Sequence, residues 1–370
     1  MNRFKKTIVV TLMALLLIPL VSMISSCAIV RFFTCMGKDS LTVYNWGEYV
    51  DPDLLTQFEN ENNVCVDYVT FNSNETAVTR VKSEVFDVIV PSDYAIEQLA
   101  KEGLIQKLDW DKIDIDPETD LADNLKAILD NLKDQENGFD FLEYAVPYFW
   151  GNVGIIYRSD IEGVEDDLAE QNWDIVKNPK YSVLYYDSSR DGFMVPLKQL
   201  GYSMNTSNDD EISEAEAWLN EQRSVLGENK LRYVGDEVLS LMQAGSYDLG
   251  VVYSGDAIWI MEENEDYDFY TPTNGTNVWA DGMVIHKDST KTDLAYKFIN
   301  FMSTKDSSYA NSVYTGYNAS NKEAFLEALE TDFADYAYIY NYELQENDEI
   351  YRYNPTAKEK IDEAWLRVKN

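Results

Sequence analysis

A chain of 370 residues with 45% hydrophobic and 26% charged side chains is long enough for two domains with their own cores and too apolar for a disordered protein. Thirty basic residues against 66 acidic ones leave a net charge of −36, which argues strongly against nucleic acid or an anionic membrane surface as partner and suits a cationic one. The 26 tyrosines and 8 tryptophans offer the aromatic faces such a cation can use.

Arg3, Lys5 and Lys6 precede an apolar run from Ile8 to Val21, and Ile24-Ser25-Ser26 puts small residues before Cys27. That is the layout of a secretion signal. The Ile-Ser-Ser-Cys ending resembles the lipobox of bacterial lipoproteins, which implies removal of residues 1–26, acylation of Cys27 and a tether over 27–40. The competing reading is an uncleaved membrane anchor, and either way the remaining chain lies outside the cytoplasm. Of the other two cysteines, Cys35 falls in the tether and Cys65 in an apolar strand. A disulfide is open to them, but an apolar-flanked cysteine reads first as a small core residue.

Leu41 to Asn45 reads as a strand running into Trp46-Gly47, after which Asp51 and Pro52 supply the cap and first position of a helix carrying Leu54, Leu55 and Phe58. Val64–Thr70 is a second strand. Ser73 can cap a short helix, and Phe86–Val90 is a third strand leading into Ser92, Asp93 and Tyr94. The next helix stops at Gly103. Residues 109–140 are acidic and weakly patterned, which predicts a mobile or peripheral segment. Pro147-Tyr-Phe-Trp-Gly151 interrupts the pattern, and Val153–Tyr157 resumes it as a strand, so a change of domain is expected here. Strands at 182–186 and 247–253 follow, with helices ending near Gly201 and spanning about 210–222 and 235–244. A helix opens at Ser254-Gly255-Asp256, a strand at Met283–His286, and a further helix at 291–303.

Signatures of enzymes mostly fail. There is no nucleophile elbow, phosphate loop, dinucleotide fingerprint or Cys-x-x-Cys, so neither a metal nor a cofactor is expected. His286 is the single histidine and closes an apolar strand, a poor base for a triad. Two carboxylates acting as a glycoside hydrolase remain open among so many acids. What stands out is a set of aromatic and acidic residues on loops after strands: Trp46 and Glu48, Ser92 to Tyr94, Asp187 and Asp191, Tyr253 and Asp256, Trp279 and Asp281, and Tyr317. Ligands of open α/β sheets bind beyond the carboxyl ends of strands. Carboxylates there can hold amine ends while rings cover the methylenes.

Six landmarks carry a resemblance: Tyr44-Asn-Trp-Gly-Glu-Tyr49, Phe71-Asn-Ser-Asn-Glu-Thr76, Asp87-Val-Ile-Val-Pro-Ser92, Lys101–Leu108, Pro147-Tyr-Phe-Trp-Gly151 and Leu200-Gly-Tyr202. From Leu41 onward the chain resembles the polyamine-binding (spermidine/putrescine) lipoproteins of ABC importers. The resemblance implies an α/β, two-lobed type II periplasmic-binding-protein fold, with lobe 1 over 41–147 plus 280–325 and lobe 2 over 148–279 plus 326–370. It implies capture of putrescine or spermidine by hinge closure, without catalysis, and delivery to an ABC permease by a monomer anchored at the outer face of the bacterial cytoplasmic membrane. Carried over by position, Trp46 stacks on the ligand, Ser92 and Tyr94 line the same lobe, Asp281 takes an amine, and Tyr253 replaces a tryptophan wall. Ser188 stands where spermidine-type members carry an aspartate, Asp191 where they carry a glutamate, and Tyr351 near the place of a glutamine. Asp256 matches the putrescine-type members, which tilts the expected preference toward putrescine. Another cationic solute is the alternative on the same fold, and an adhesion protein with packed aromatics is the alternative without a ligand.

Overall fold

The computed structural model describes residues 34–134, 138–235 and 237–370, so the expected leader and Cys27 lie outside the described residues. Among these, one mixed sheet contains β1 (Asp39–Trp46), β2 (Val64–Phe71), β3 (Val88–Ile89), β4 (Val146–Arg158), β5 (Val183–Tyr186), β6 (Leu231–Val234), β7 (Leu249–Tyr253), β8 (Tyr267–Tyr270), β9 (Val278–Ile285) and β10 (Asn318–Ala319). The path is β2-β1-β3-β9-β4-β7-β5-β6, with β8 and β10 also paired to β4. Strands β2, β1 and β3 are mutually parallel, as are β6, β5 and β7, and helices cross between them. The two parallel groups are joined through antiparallel β9 and β4. This is the expected α/β class.

The spine is β4. All but the last of its 13 residues are buried. Its first half, to Asn152, pairs with β9 and β10, while its second half lies between β7 and β8. The break expected at Pro147–Gly151 is therefore a register shift between Pro147 and Trp150 inside one continuous strand. Proline lacks the amide that the ladder needs, and a bulge absorbs the defect. Neighbours change along the strand; the strand does not end.

Local signals explain many of the helices. Asp51 accepts from Asp53 N and Pro52 opens the helix Pro52–Asn62, whose Leu54 and Phe58 are buried. Ser73 caps Asn74–Val81, and Gly103, at φ 66°, follows the helix Asp93–Lys101. The segment 109–140 corrects the reading of a peripheral stretch. It contains the helix Asp123–Asp134, which buries Leu125, Ile128, Leu129 and Leu132 at helical spacing. Acidic residues on the outer face hid that stripe. The C-terminal helix Pro355–Lys369 buries Ile361 and Trp365, and Trp365 meets Tyr233 edge-on at 4.9 Å.

Cys35 and Cys65 form a disulfide, which corrects the reading of Cys65 as a free core residue. Ser40 pairs with Cys65 in the β1–β2 ladder, and Lys38 N donates to Cys35 O at 3.1 Å in a turn. That turn brings the preceding chain back to the start of β2. The expected tether is therefore fastened at 35, and β1 already begins at Asp39.

Candidate ligand-binding site

Trp46 ends β1, Tyr186 ends β5, Tyr253 ends β7, and Ser92 follows β3. The parallel groups thus direct their carboxyl ends toward β9, where Asp281 lies. Ser92 forms an antiparallel bridge with Asp281. The carboxylate is 3% exposed, and its Oδ2 accepts the Tyr49 hydroxyl at 2.9 Å. Oδ1 is buried and makes no hydrogen bond of ordinary geometry. Burial raises the Asp281 pKa to about 7, with the Ser92 and Tyr49 hydroxyls holding it down only in part. A buried carboxylate with one oxygen unbonded is costly when charged, and a cation at Oδ1 would relieve that cost.

The surrounding walls are aromatic. Ring centroids are 5.4 Å apart for Tyr49 and Tyr317, 5.3 Å for Trp279 and Tyr317, and 6.0 Å for Tyr253 and Trp279, all edge to face. Trp46 packs against Phe71 at 4.6 Å. The indole nitrogens of Trp46 and Trp279 are buried without an acceptor.

Two more carboxylates are held by tyrosines. Asp256 accepts the Tyr317 hydroxyl on Oδ1 at 2.8 Å and the Tyr186 hydroxyl on Oδ2. Asp191 accepts the Tyr253 hydroxyl at 3.0 Å, and Ser188 caps the helix Ser189–Gln199 by accepting from Asp191 N at 3.4 Å. Burial pushes the Asp191 pKa up, while the Ser188 and Tyr253 hydroxyls oppose it.

Some expected residues do other work. Asp93 gives its oxygens to the backbone amides of Tyr94 at 2.6 Å and Ala280 at 3.1 Å, tying a helix start to β9, and burial pushes its pKa up to about 8. Glu48 is exposed in a turn at φ 49°. Asp187 pairs with Lys369 and accepts from Trp365 Nε1 at 3.2 Å.

Other residues were missed by the sequence reading. Asn74 donates to the Ser92 hydroxyl at 3.0 Å and to the Tyr94 hydroxyl at 3.1 Å, and accepts from Ser92 N, which orients both. Tyr49 and Asn74 sit inside two of the quoted landmarks, and Tyr186 obeys the same end-of-strand rule as Tyr253. Arg190 carries no comparable signal. Its guanidinium lies 3.9 Å over the Tyr94 ring and 5.3 Å from that of Tyr351, and its Nε is 3.7 Å from Glu75. Nearby, Glu97, 1% exposed, accepts from Arg352 Nε at 3.1 Å and Nη2 at 2.9 Å, and from Tyr353 N at 2.8 Å. Burial alone would raise the Glu97 pKa, but Arg352, Lys101 and Tyr353 hold it below the ordinary value.

Residues 53–337 match the family model for a bacterial extracellular solute-binding protein. The chain belongs to that family. It is 32% identical over 296 residues to the spermidine/putrescine-binding periplasmic protein of Salmonella typhimurium, covering 78% of this chain and 79% of the relative. Its Escherichia coli counterpart is 31% identical over 292 residues, with the same coverage. Among solved structures, the spermidine/putrescine ABC transporter substrate-binding protein of Streptococcus pneumoniae superposes with a TM-score of 0.71 at 30% identity, covering 90% of this chain and 99% of that one. A Listeria monocytogenes structure gives a TM-score of 0.75 at 32% identity with the same coverage. The family's role is solute binding, which removes the reading as a two-carboxylate glycoside hydrolase.

Proposed function

We propose that the protein captures a polyamine between two hinged lobes, 41–147 plus 280–325 and 148–279 plus 326–370, and hands it to an ABC permease. One observation carries the reading: Asp281, buried beside Tyr49, Trp279 and Tyr317, keeps an oxygen without a hydrogen bond. An ammonium supplies the missing donor and charge, while the rings accept its polarised methylenes. The names of the relatives point to the same ligand class. Trp46, Ser92, Tyr94, Ser188, Asp191, Tyr253 and Asp256 complete the site in this reading. Closure follows from differential affinity, since a ligand bridging both lobes stabilises the state in which both touch it.

Secretion and acylation at Cys27 would hold the protein as a monomer at the outer face of the cytoplasmic membrane, close to its permease. Mass spectrometry of the membrane fraction tests this: an N-terminal lipid on Cys27 is expected, and an intact Met1 would contradict it. The ligand is tested by calorimetric titration of the chain begun after Cys27 with putrescine, cadaverine, spermidine and spermine, after carried-over ligand is removed by unfolding and refolding. Saturable binding of at least one amine is expected. Absence of heat and of thermal stabilisation with every amine would overturn the polyamine reading.

A further inference from the structure

We infer that Arg190 is a specificity-determining residue: a built-in cation that occupies one end of the cleft and restricts it to ligands with two ammonium groups. The inference rests on the polyamine reading and adds to it the number of charges the ligand carries. Its basis is where the cleft's carboxylates and cations lie. Arg190 projects from the first turn of the helix Ser189–Gln199, and its side chain is 12% exposed. The guanidinium covers the face of Tyr94, a ring that a ligand would otherwise use, and Tyr351 stands edge-on to that ring at 6.0 Å. The Tyr351 hydroxyl donates to Arg190 O at 2.7 Å, which fixes the base of the side chain. Asn74 holds the Tyr94 hydroxyl from the other side.

The guanidinium also divides the anions. Its charge opposes the burial that raises Asp191 and Asp93, and it lies close to Glu75. The ion-pair partner of Arg190 is Glu75, at 3.7 Å, and among the described residues no cation pairs with Asp281. Asp256, between Tyr186 and Tyr317, is the remaining carboxylate in the ring-lined part of the cleft. A diamine held at Asp281 and Asp256 does not need the Tyr94 face that Arg190 covers. A third ammonium directed toward Asp191 would meet a like charge in low dielectric and an aromatic face already in use.

The test is the ratio of dissociation constants for spermidine and putrescine, measured by calorimetry on the chain begun after Cys27 for the parent, Arg190→Gln and Arg190→Lys. The parent is expected to prefer putrescine. Arg190→Gln should lower the spermidine-to-putrescine ratio by on the order of tenfold, through a gain in spermidine affinity. Arg190→Lys keeps the charge and should keep a ratio closer to the parent's. A ratio unchanged in Arg190→Gln, or a parent that prefers spermidine, would overturn the role given to Arg190 while leaving polyamine binding intact. If Arg190 merely braces the lobes through Glu75, both amines weaken together and the ratio stays constant, which also overturns it. A parent that binds neither amine defeats the polyamine reading itself. Should Arg190→Gln fail to fold, Arg190→Met takes its place, with the same expected fall in the ratio and the same overturning result if the ratio is unchanged.

Discussion

Gly255 and Tyr317 touch so closely that a methyl group on the glycine would fall 2.4 Å from Tyr317 Cδ1. The glycine lets the ring lie flat against the first turn of the helix Ser254–Glu263, where its hydroxyl reaches Asp256. Gly255→Ala should therefore displace the ring and break the Tyr317 hydrogen bond to Asp256. The expected result is amine affinity lower by roughly tenfold, with an overpacking cost of about 1–3 kcal/mol in stability. Calorimetry and thermal melting read both, and unaltered affinity would separate Tyr317 from the site.

Asp281 and Asp93 make stability depend on pH in an unusual direction. Both pKa values are raised on folding, from 3.8 to about 7 and about 8, so the folded ligand-free protein favours their neutral forms. Their contribution is complete below the unfolded pKa and is lost as pH rises through those folded values. The ligand-free melting temperature should fall across that window, and Asp281→Asn should flatten the fall. Ammonium binding favours the ionised form, so below pH 7 it should release a proton from Asp281. Titration in buffers of different ionisation enthalpy measures that proton.

Glu97 behaves in the opposite sense. Its pKa is lowered on folding, so its stabilisation is present above the unfolded value and disappears as pH falls through the folded one. Arg352 and Lys101 both pair with this buried carboxylate. Glu97→Gln should cost about 3 kcal/mol, because it removes the buried charge that both cations meet. Chemical denaturation would measure the loss, and a change below about 1 kcal/mol would contradict a burial cost of this kind.

The disulfide ties the N-terminal segment to β2 across a sequence separation of 30 residues. Closing a loop of that length restricts the unfolded chain, worth about 2–4 kcal/mol. Cys35→Ser should lower the melting temperature and leave amine binding intact, since neither cysteine lies at the carboxyl ends of the strands.

How much of this was legible beforehand differs by element. The caps at Asp51 and Ser73 and the turn at Gly103 have local causes, and their helices appear where the sequence puts them. Most site carboxylates and rings follow strands, so chain order alone brings Trp46, Tyr253 and Asp256 into view. Asp93 misleads because its partner, the amide of Ala280, lies 187 positions away. The same distance problem hides Tyr49, whose hydroxyl meets Asp281 across 232 positions. Arg190 is hardest to foresee: a lone arginine in an acidic chain reads as a surface charge until Tyr94 and Tyr351 are packed around it.

The most direct test of the account is calorimetric titration of Asp281→Asn with the amine that the parent binds most tightly. The substitution keeps size and shape and removes the charge that an ammonium would meet. A loss of about 2–5 kcal/mol in binding free energy, with the folded state retained, is the predicted result. Equal affinity in parent and variant would contradict it, and would move the ammonium site away from Asp281.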